Sequence, residues 1–322
     1  MKFEDRRVEL LSSISIEESK VNLSNPIVFL CGGLVDVKAT SADISVRNML
    51  LTHLVSSNPA LFDRIKLAED FKDWLHDAIY DNLLTFEDDI ASISSLIIII
   101  LESAGSIAEL GIFAANPKLK GKLLVFIQES HFEQDSFIKL GPLRHIDPDD
   151  DGFVCSYSWD DASIGSTLSP YLIDIENDIT EFLSNNPEQV QLEKDSSGHV
   201  AFLIYELVSI FKALKLTEIE AYLKLLGFEL SRVEIKRLLF LLNKLEFVDS
   251  RRRGKLDYYF PTSKEQKVHF TNKDGSPRFD RKKMTVAAMQ FYNTNDSERH
   301  RMFVITELLK KEKEQATEQG AA

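Results

Sequence analysis

The apolar run Leu96 to Leu101 leads directly into Glu-Ser-Ala-Gly-Ser-Ile-Ala-Glu-Leu, Glu102 to Leu110. The run is too short to cross a bilayer, and its consecutive isoleucines favour a strand because β-branching restricts χ1. An apolar run without alternation reads as a strand buried on both faces, the pattern of a parallel sheet covered by helices. Glu102 and its successors must then leave the strand's carboxyl end, where open α/β sheets bind their ligands. The spacing delivers a carboxylate, a Gly-Ser turn and a second carboxylate to one sheet edge. That layout suits the cleavage of a glycosidic bond.

The surrounding pattern extends the same reading. Ile27 to Cys31 is a short apolar strand ending in Cys31-Gly32-Gly33, and Ile65 to Leu67 and Leu123 to Ile127 are further strands. Helical spacing is expected after Ile44, with Ser41 as cap, then over Phe71 to Asn82, Phe86 to Ile93 and Ile107 to Ala115. Strands alternating with helices indicate βαβ units, so residues 1–150 are expected to form a Rossmann-like (flavodoxin-like) α/β catalytic domain with a parallel sheet. Residues 1–24 read as a charged amphipathic leader, helical in part. Residues 151–199 form a connector, with a further strand at Gly152 to Trp159 and a helix that starts at Ser169-Pro170.

Residues 200–262 carry three closely spaced amphipathic helices, Val200 to Leu214, Glu218 to Leu226 and Arg232 to Phe247. The second opens Thr217-Glu218-Ile219-Glu220 and the third Ser231-Arg232-Val233-Glu234, each with the form of a capping box. Gly227 ends the middle helix, and two strand-like arms flank Arg252-Arg253-Gly254. Three helices and a basic hairpin predict a winged helix-turn-helix, with a basic and helical extension after it over 263–322.

The net charge of -13 opposes nonspecific attraction to nucleic acid by the molecule as a whole. Yet Arg251 to Lys283 hold eleven Lys/Arg against four Asp/Glu. Lys236, Arg237, Arg251, Arg252, Arg253 and Lys255 are accordingly the candidates for contacts to phosphates. Two cysteines, Cys31 and Cys155, give no disulfide framework and no metal spacing, and the N-terminus lacks a signal peptide's apolar core. A cytoplasmic protein with no membrane segment is expected. The acidic stretch DPDDDG, Asp147 to Gly152, imitates the start of a calcium loop but carries Ser158 where the bidentate Glu belongs, so no metal site is assigned. Gly-x-Ser-x-Gly and Gly-x-Gly-x-x-Gly are absent, which argues against a serine hydrolase and against a redox dinucleotide fold.

With a helix opening at Ser106, Glu109 would stand in its first turn, where the macrodipole favours an ionised carboxylate. Such a group can trap an anomeric carbon as oxocarbenium character develops. Glu109 is therefore the expected nucleophile. Glu102 is placed to bind ribose hydroxyls or to handle a proton from the leaving base, and Ser103, Gly105 and Ser106 to hold a phosphate or sugar hydroxyl.

The combination VFLCGG, LAED at Leu67 to Asp70, ESAGSIAELGIF at Glu102 to Phe113 and FIKLGPLRHI at Phe137 to Ile146 closely resembles the nucleoside deoxyribosyltransferase-like effectors of bacterial retron antiphage systems. In that resemblance Glu109 matches the nucleophile, Gly105 the motif's glycine and Ser106 its hydroxyl residue, while Glu102 stands where an Asp is usual. The resemblance implies an N-glycosidase that consumes NAD as substrate and needs no cofactor. It also implies Cys31, Gly32 and Gly33 lining the nucleotide pocket, Glu69 or Asp70 near the sugar or base, and a nearby loop at Gly141-Pro142. The implied partners are the retron reverse transcriptase with its multicopy single-stranded DNA, and further copies of the chain in an oligomer or filament. Two other functions fit the same residues: a nonenzymatic nucleotide sensor with a DNA-binding winged helix, and a deoxyribosyltransferase acting on free deoxynucleosides.

Overall fold

The computed structural model describes residues 3–36, 44–75, 79–149, 151–273 and 279–319, without the side chains of 72–75, 311–313 and 315–319. The chain folds as two compact units, Leu23–Glu188 and the combination of Met1–Asn22 with Gln189–Ala322. The N-terminal stretch, expected as an amphipathic leader helical in part, belongs to the second of these units. After a short helix, α1 (Arg7–Ser12), Ile14–Asn22 form strand β1. Its alternating burial is that of a half-buried strand.

The Leu23–Glu188 unit is built on five parallel strands: β2 (Val28–Cys31), β3 (Ile65–Lys66), β4 (Leu96–Ile100), β5 (Leu123–Gln128) and β6 (Val154–Tyr157). Their order is β3-β2-β4-β5-β6, and every pairing is parallel. All five residues of β4 are fully buried, which is why the run does not alternate. Leu96, Ile98 and Ile100 face a core shared with α2 (Val46–Ser57), which supplies Leu50 and Leu54, and with Ile175 and Ile179 of a helix over Leu172–Asn185. Helix α3 (Leu83–Ile93) precedes β4, and α4 (Ala104–Ala114) comes after it. Phe113 of α4 meets Phe29 of β2 edge-on, with ring centroids 6.4 Å apart.

Several boundaries differ from those the sequence suggests. Helix α2 is capped by Ser45, whose hydroxyl accepts from Asn48 N–H at 2.9 Å; Ser41 lies outside the described residues. Of the helix expected over Phe71 to Asn82, the first residues belong to a 3-10 segment, Ala68–Leu75, broken by non-helical angles at Phe71, residues 79–82 are not helical, and 76–78 lie outside the described residues. Asn82 instead caps α3, accepting from Thr85 N–H at 2.9 Å. At Asp147 the carboxylate accepts from the N–H groups of Asp151, Phe153 and Val154, a local turn that launches β6.

In the other unit, β1 pairs with β7 (Gln189–Gln191) on one side and with β11 (Val268–Asn272) on the other, antiparallel in both cases. Between these strands come α6 (Ser197–Phe211, the Leu172–Asn185 helix being α5), β8 (Leu214–Lys215), α7 (Leu216–Leu225), α8 (Arg232–Lys244), β9 (Val248–Arg253) and β10 (Leu256–Pro261). The three short strands form a second sheet in the order β8-β10-β9. Helices α9 (Arg281–Thr294) and α10 (Arg299–Gln319) complete the unit.

Ser231 and Glu234 close the capping box expected of α8, at 2.7 and 3.2 Å. The box expected at Thr217 is displaced. There Glu218 accepts from Lys215 N–H at 2.9 Å, so α7 begins earlier than the Thr217 motif implies. Glu218 also meets two arginines: its Oε1 accepts from Arg301 at 2.6 Å and from Arg7 at 2.8 Å. This buried charge cluster ties α1 to α7 and α10, and it lies beside the aromatic rings of Tyr222 and Tyr292. A buried ion pair of this kind costs stability when one partner is removed, because the other is left desolvated. Gly227, at φ +85°, ends α7 with Phe228 N–H returning to Leu223 O at 2.9 Å.

Candidate active site

The strand order places β2 and β4 side by side, with the chain leaving in opposite directions from them, so their carboxyl ends flank the sheet's switch point. Cys31, Gly32, Gly33, Glu102, Ser103 and Ser106 converge there. Glu102 has a structural task. Its Oε1 accepts from Gly33 N–H at 2.8 Å and Arg47 N–H at 2.9 Å, and its Oε2 from Val46 N–H at 2.6 Å. The carboxylate thus pins the N-terminus of α2 to the glycine turn and meets that helix's positive end. With three backbone donors on its two oxygens it is a poor choice for moving a proton, which corrects the acid–base role expected from the sequence.

The same carboxylate explains the glycines. A Cβ on Gly33 would stand 2.8 Å from Glu102 Cδ and 2.9 Å from Ser45 Cβ, and one on Gly32 would stand 3.0 Å from Glu102 Oε1. The space expected to admit a ligand is filled by the protein. Gly105 differs, since its Cβ would meet only Ser103 Oγ at 3.7 Å. Gly33→Ala is therefore expected to destabilise by about 2 kcal/mol through overpacking, and Gly105→Ala to gain up to about 1 kcal/mol of helix propensity, as measured by urea unfolding.

Ser103 and Ser106 cap α4 reciprocally. Ser103 Oγ accepts from Ser106 N–H at 3.1 Å and donates to Gly32 O at 3.2 Å, and Ser106 is fully buried. Its hydroxyl serves the cap and is not presented to a ligand. Because α4 begins at Ala104, Glu109 lies in the second turn, not the first as expected. The macrodipole contributes less at that depth, and burial dominates. Desolvation pushes the Glu109 carboxyl above the usual carboxylate range, against the lowering effects of the Cys31 thiol and the Arg47 guanidinium, with Glu69 adding to the rise. Glu109 Oε2 is buried and accepts no hydrogen bond.

Around Glu109 stand Arg47 and Glu87, which no sequence motif singles out, together with Cys31 and Glu69. Arg47, on α2, forms an ion pair with Glu69 at 2.5 Å, and its side chain is only 5% exposed. An Arg in a helix's first turn opposes the macrodipole, and that conflict was the signal for nearby carboxylates. Glu87, on α3, is buried beside the apolar residues Phe86 and Ile90. Burial, reinforced by Glu109 and Glu69, pushes its carboxyl up to about 7. The Cys31 thiol is pushed well above its ordinary value by burial and then by Glu109 and Glu87, so it is a neutral wall and no nucleophile. Asp70 is exposed and accepts from Leu67 N–H at 2.9 Å, a local cap of the 3-10 segment.

A raised carboxyl pKa in the folded state favours folding at low pH. That contribution is complete below about 4.5, where both states are protonated, and is lost as pH rises to about 7. Glu87→Gln should accordingly stabilise the protein by about 2 kcal/mol at pH 8 and by nothing near pH 4, as measured by unfolding at both pH values.

A separate cavity of about 440 Å³ opens at the carboxyl ends of β4 and β5, bordered by Glu102, Ser103 and Ile107 but not by Glu109. Gly141-Pro142 sit in a single π-helical turn, Lys139–Leu143, next to Ile138, which lines that cavity. No group of residues that could hold a metal occurs among the described residues. Nor is any helix there long and apolar enough to cross a membrane.

In the second unit the basic candidates divide. Lys236, Arg252 and Lys255 are exposed, whereas Arg251 and Arg253 are ion-paired with Glu307 of α10, the latter at 3.0 Å. Arg253 also lies 3.9 Å from the centre of the Phe303 ring. Those two arginines brace the hairpin against α10 and are not free cations, which corrects the expectation for them. Arg237 is half-buried on α8.

The chain is similar to known proteins. It is 32% identical over 147 residues to the Escherichia coli protein named "Retron Ec73 putative ribosyltransferase/DNA-binding protein", covering 44% of this chain and 45% of that protein. It is 35% identical over 121 residues to the E. coli "Retron Ec86 putative ribosyltransferase/DNA-binding protein", covering 36% of each. The chain thus spans less than half the length of these relatives. The family described as STM3845 retron effector protein matches residues 43–250, well over half of the chain. The protein belongs to the STM3845 retron effector family.

Proposed function

We propose that the parallel-sheet unit is a Rossmann-like N-glycosidase that cleaves the ribosyl bond of NAD or a related nucleotide, with Glu109 as nucleophile. The observation that carries the reading is Glu109 itself: a partly desolvated carboxyl at the sheet's switch point with one oxygen free of hydrogen bonds. The relatives' names, which pair ribosyl transfer with DNA binding, agree with it. As the bond to the base lengthens, positive charge develops on the anomeric carbon, and the Glu109 carboxylate attacks it to form a glycosyl ester. Water then hydrolyses the ester and restores the carboxylate. Arg47 holds Glu69 in place and favours ionised Glu109, while protonated Glu87 spares the pair a second negative charge.

This arrangement makes pH diagnostic of the substrate. The nicotinamide of NAD leaves as a neutral molecule and needs no proton, so activity on NAD should rise with pH as Glu109 ionises and then stay level. A purine leaving group needs a proton, which Glu87 could supply only below about pH 7. Incubation with NAD and with deoxynucleosides, with chromatography of the products, separates glycohydrolase from deoxyribosyltransferase. Ligand binding without turnover would overturn both.

Helices α6, α7 and α8 with the β9–β10 hairpin are proposed to be a winged helix-turn-helix whose exposed Lys236, Arg252 and Lys255 contact phosphates. Membership of a retron effector family supports a cytoplasmic antiphage role. There the chain would be held in check by a reverse transcriptase and its multicopy single-stranded DNA, and would assemble with further copies of itself. Replacing the three exposed cations by Ala should weaken DNA binding and flatten its salt dependence, by about one unit of slope per lost contact.

A further inference from the structure

Core packing does not account for Phe303. Its neighbours Val304 and Ile305 are buried and anchor α10, whereas Phe303 is 48% exposed. A ring left half in water forgoes the gain of apolar burial. The Arg253 guanidinium lies over this ring, 3.9 Å from its centroid, and the Arg253 side chain keeps 35% of its own surface open. Two flat π surfaces, a ring and a guanidinium, are thus held together at the protein surface, and the ion pair of Arg253 with Glu307 at 3.0 Å fixes their alignment.

The setting is cationic. Arg299, Phe303 and Glu307 recur every four residues and so share one face of α10, with His300 beside them. The β9–β10 hairpin closes on that face: Arg251 and Arg253 both pair with Glu307, and a Cβ on Gly254 would stand 3.9 Å from His300 Nε2. Arg252, Lys255, Arg299 and His300 are exposed around the ring. Glu307 does not neutralise this surface, since one carboxylate is shared by two arginines, and Asp257, opposite Arg252 in the hairpin register, is outnumbered at the tip. Helix α8 offers less to a duplex. Residues Leu238 to Leu242 are buried in succession, so that half of the helix cannot lie in a groove, and Arg232 is held by Glu220 at 2.7 Å. Paired bases keep their faces stacked on one another, so only an unpaired base can lay its face on a ring or guanidinium of the protein. We propose that Phe303 and Arg253 form a stacking platform for an unpaired base of a nucleic-acid single strand, with Arg252, Lys255 and Arg299 along its phosphates, an assignment that rests on the nucleic-acid reading of the winged helix.

The test uses the full chain and the fluorescence anisotropy of labelled oligothymidine, oligouridine and a mixed-sequence DNA duplex, each of about 15 nucleotides, within the span of single-strand sites. Phe303→Leu keeps an apolar side chain at a half-exposed position and removes the π face. It should weaken single-strand binding about tenfold, about 1.4 kcal/mol, while duplex binding stays as it was. The salt slope should not change, because no charge is lost. Phe303→Trp should restore the affinity, and its added indole emission, read against the parent chain, should be quenched by a single strand and not by the duplex. The tighter of the oligothymidine and oligouridine arms names the source of the base, DNA or RNA. Equal losses on single strand and duplex, or no loss at all in Phe303→Leu, would overturn the platform and leave the winged helix a nucleic-acid binder. A parent chain that binds none of the three would sink that reading and the platform together.

Discussion

Glu109→Gln should lower base release from a ribosyl substrate by about 10³-fold or more while leaving unfolding nearly unchanged. The amide matches the carboxyl in shape, and no hydrogen bond to Oε2 is lost. What disappears is the nucleophilic charge. Folding should improve slightly if anything, because the carboxyl is already penalised by burial. Base release and thermal unfolding of the variant, measured together, check both halves of the expectation. Full activity in Glu109→Gln would remove the residue from the chemistry.

Glu102→Ala should behave in the opposite way, with a loss of stability as the primary effect. Three backbone N–H groups, those of Gly33, Val46 and Arg47, would be left without their acceptor. At the net worth of charge-assisted hydrogen bonds, and with water able to reach part of the site, the expected cost is about 3 kcal/mol or more. Activity should fall with the displaced α2 and its Arg47. Glu102→Gln keeps an acceptor oxygen and should recover much of the stability. If Glu102→Ala unfolds like the parent protein and merely loses turnover, the structural role assigned to Glu102 is wrong.

These two carboxylates show how far local sequence carries. Both were legible as acids delivered to one sheet edge, because the unalternating isoleucines of β4 fix a buried parallel strand and the chain after it must emerge at the ligand-binding end. Their division of labour was not legible. It depends on N–H groups from Gly33 and from the start of α2, far away in sequence, and no spacing rule connects those to Glu102. Glu87 was missed for a similar reason: its segment reads as an ordinary amphipathic helix, and only the fold brings α3 up to Glu109.

Strand β1 shows the same limit in the fold. Its residues, Ile14–Asn22, mix charge with apolar positions as a surface helix would, and the strand is fixed by pairing with Val268–Asn272 near the other end of the chain. Non-local pairing of that kind leaves little trace in a short window. The hairpin arginines are a parallel case. Arg251 and Arg253 look like a basic wing until α10 brings Glu307 against them.

The central claim is a covalent bond between Glu109 and the anomeric carbon. Rapid acid quench of the enzyme with NAD, then peptide mapping in a mass spectrometer, should find the ribosyl adduct on the peptide bearing Glu109 and none in Glu109→Gln. Turnover of NAD with no adduct there, or with an adduct on another residue, would contradict the account.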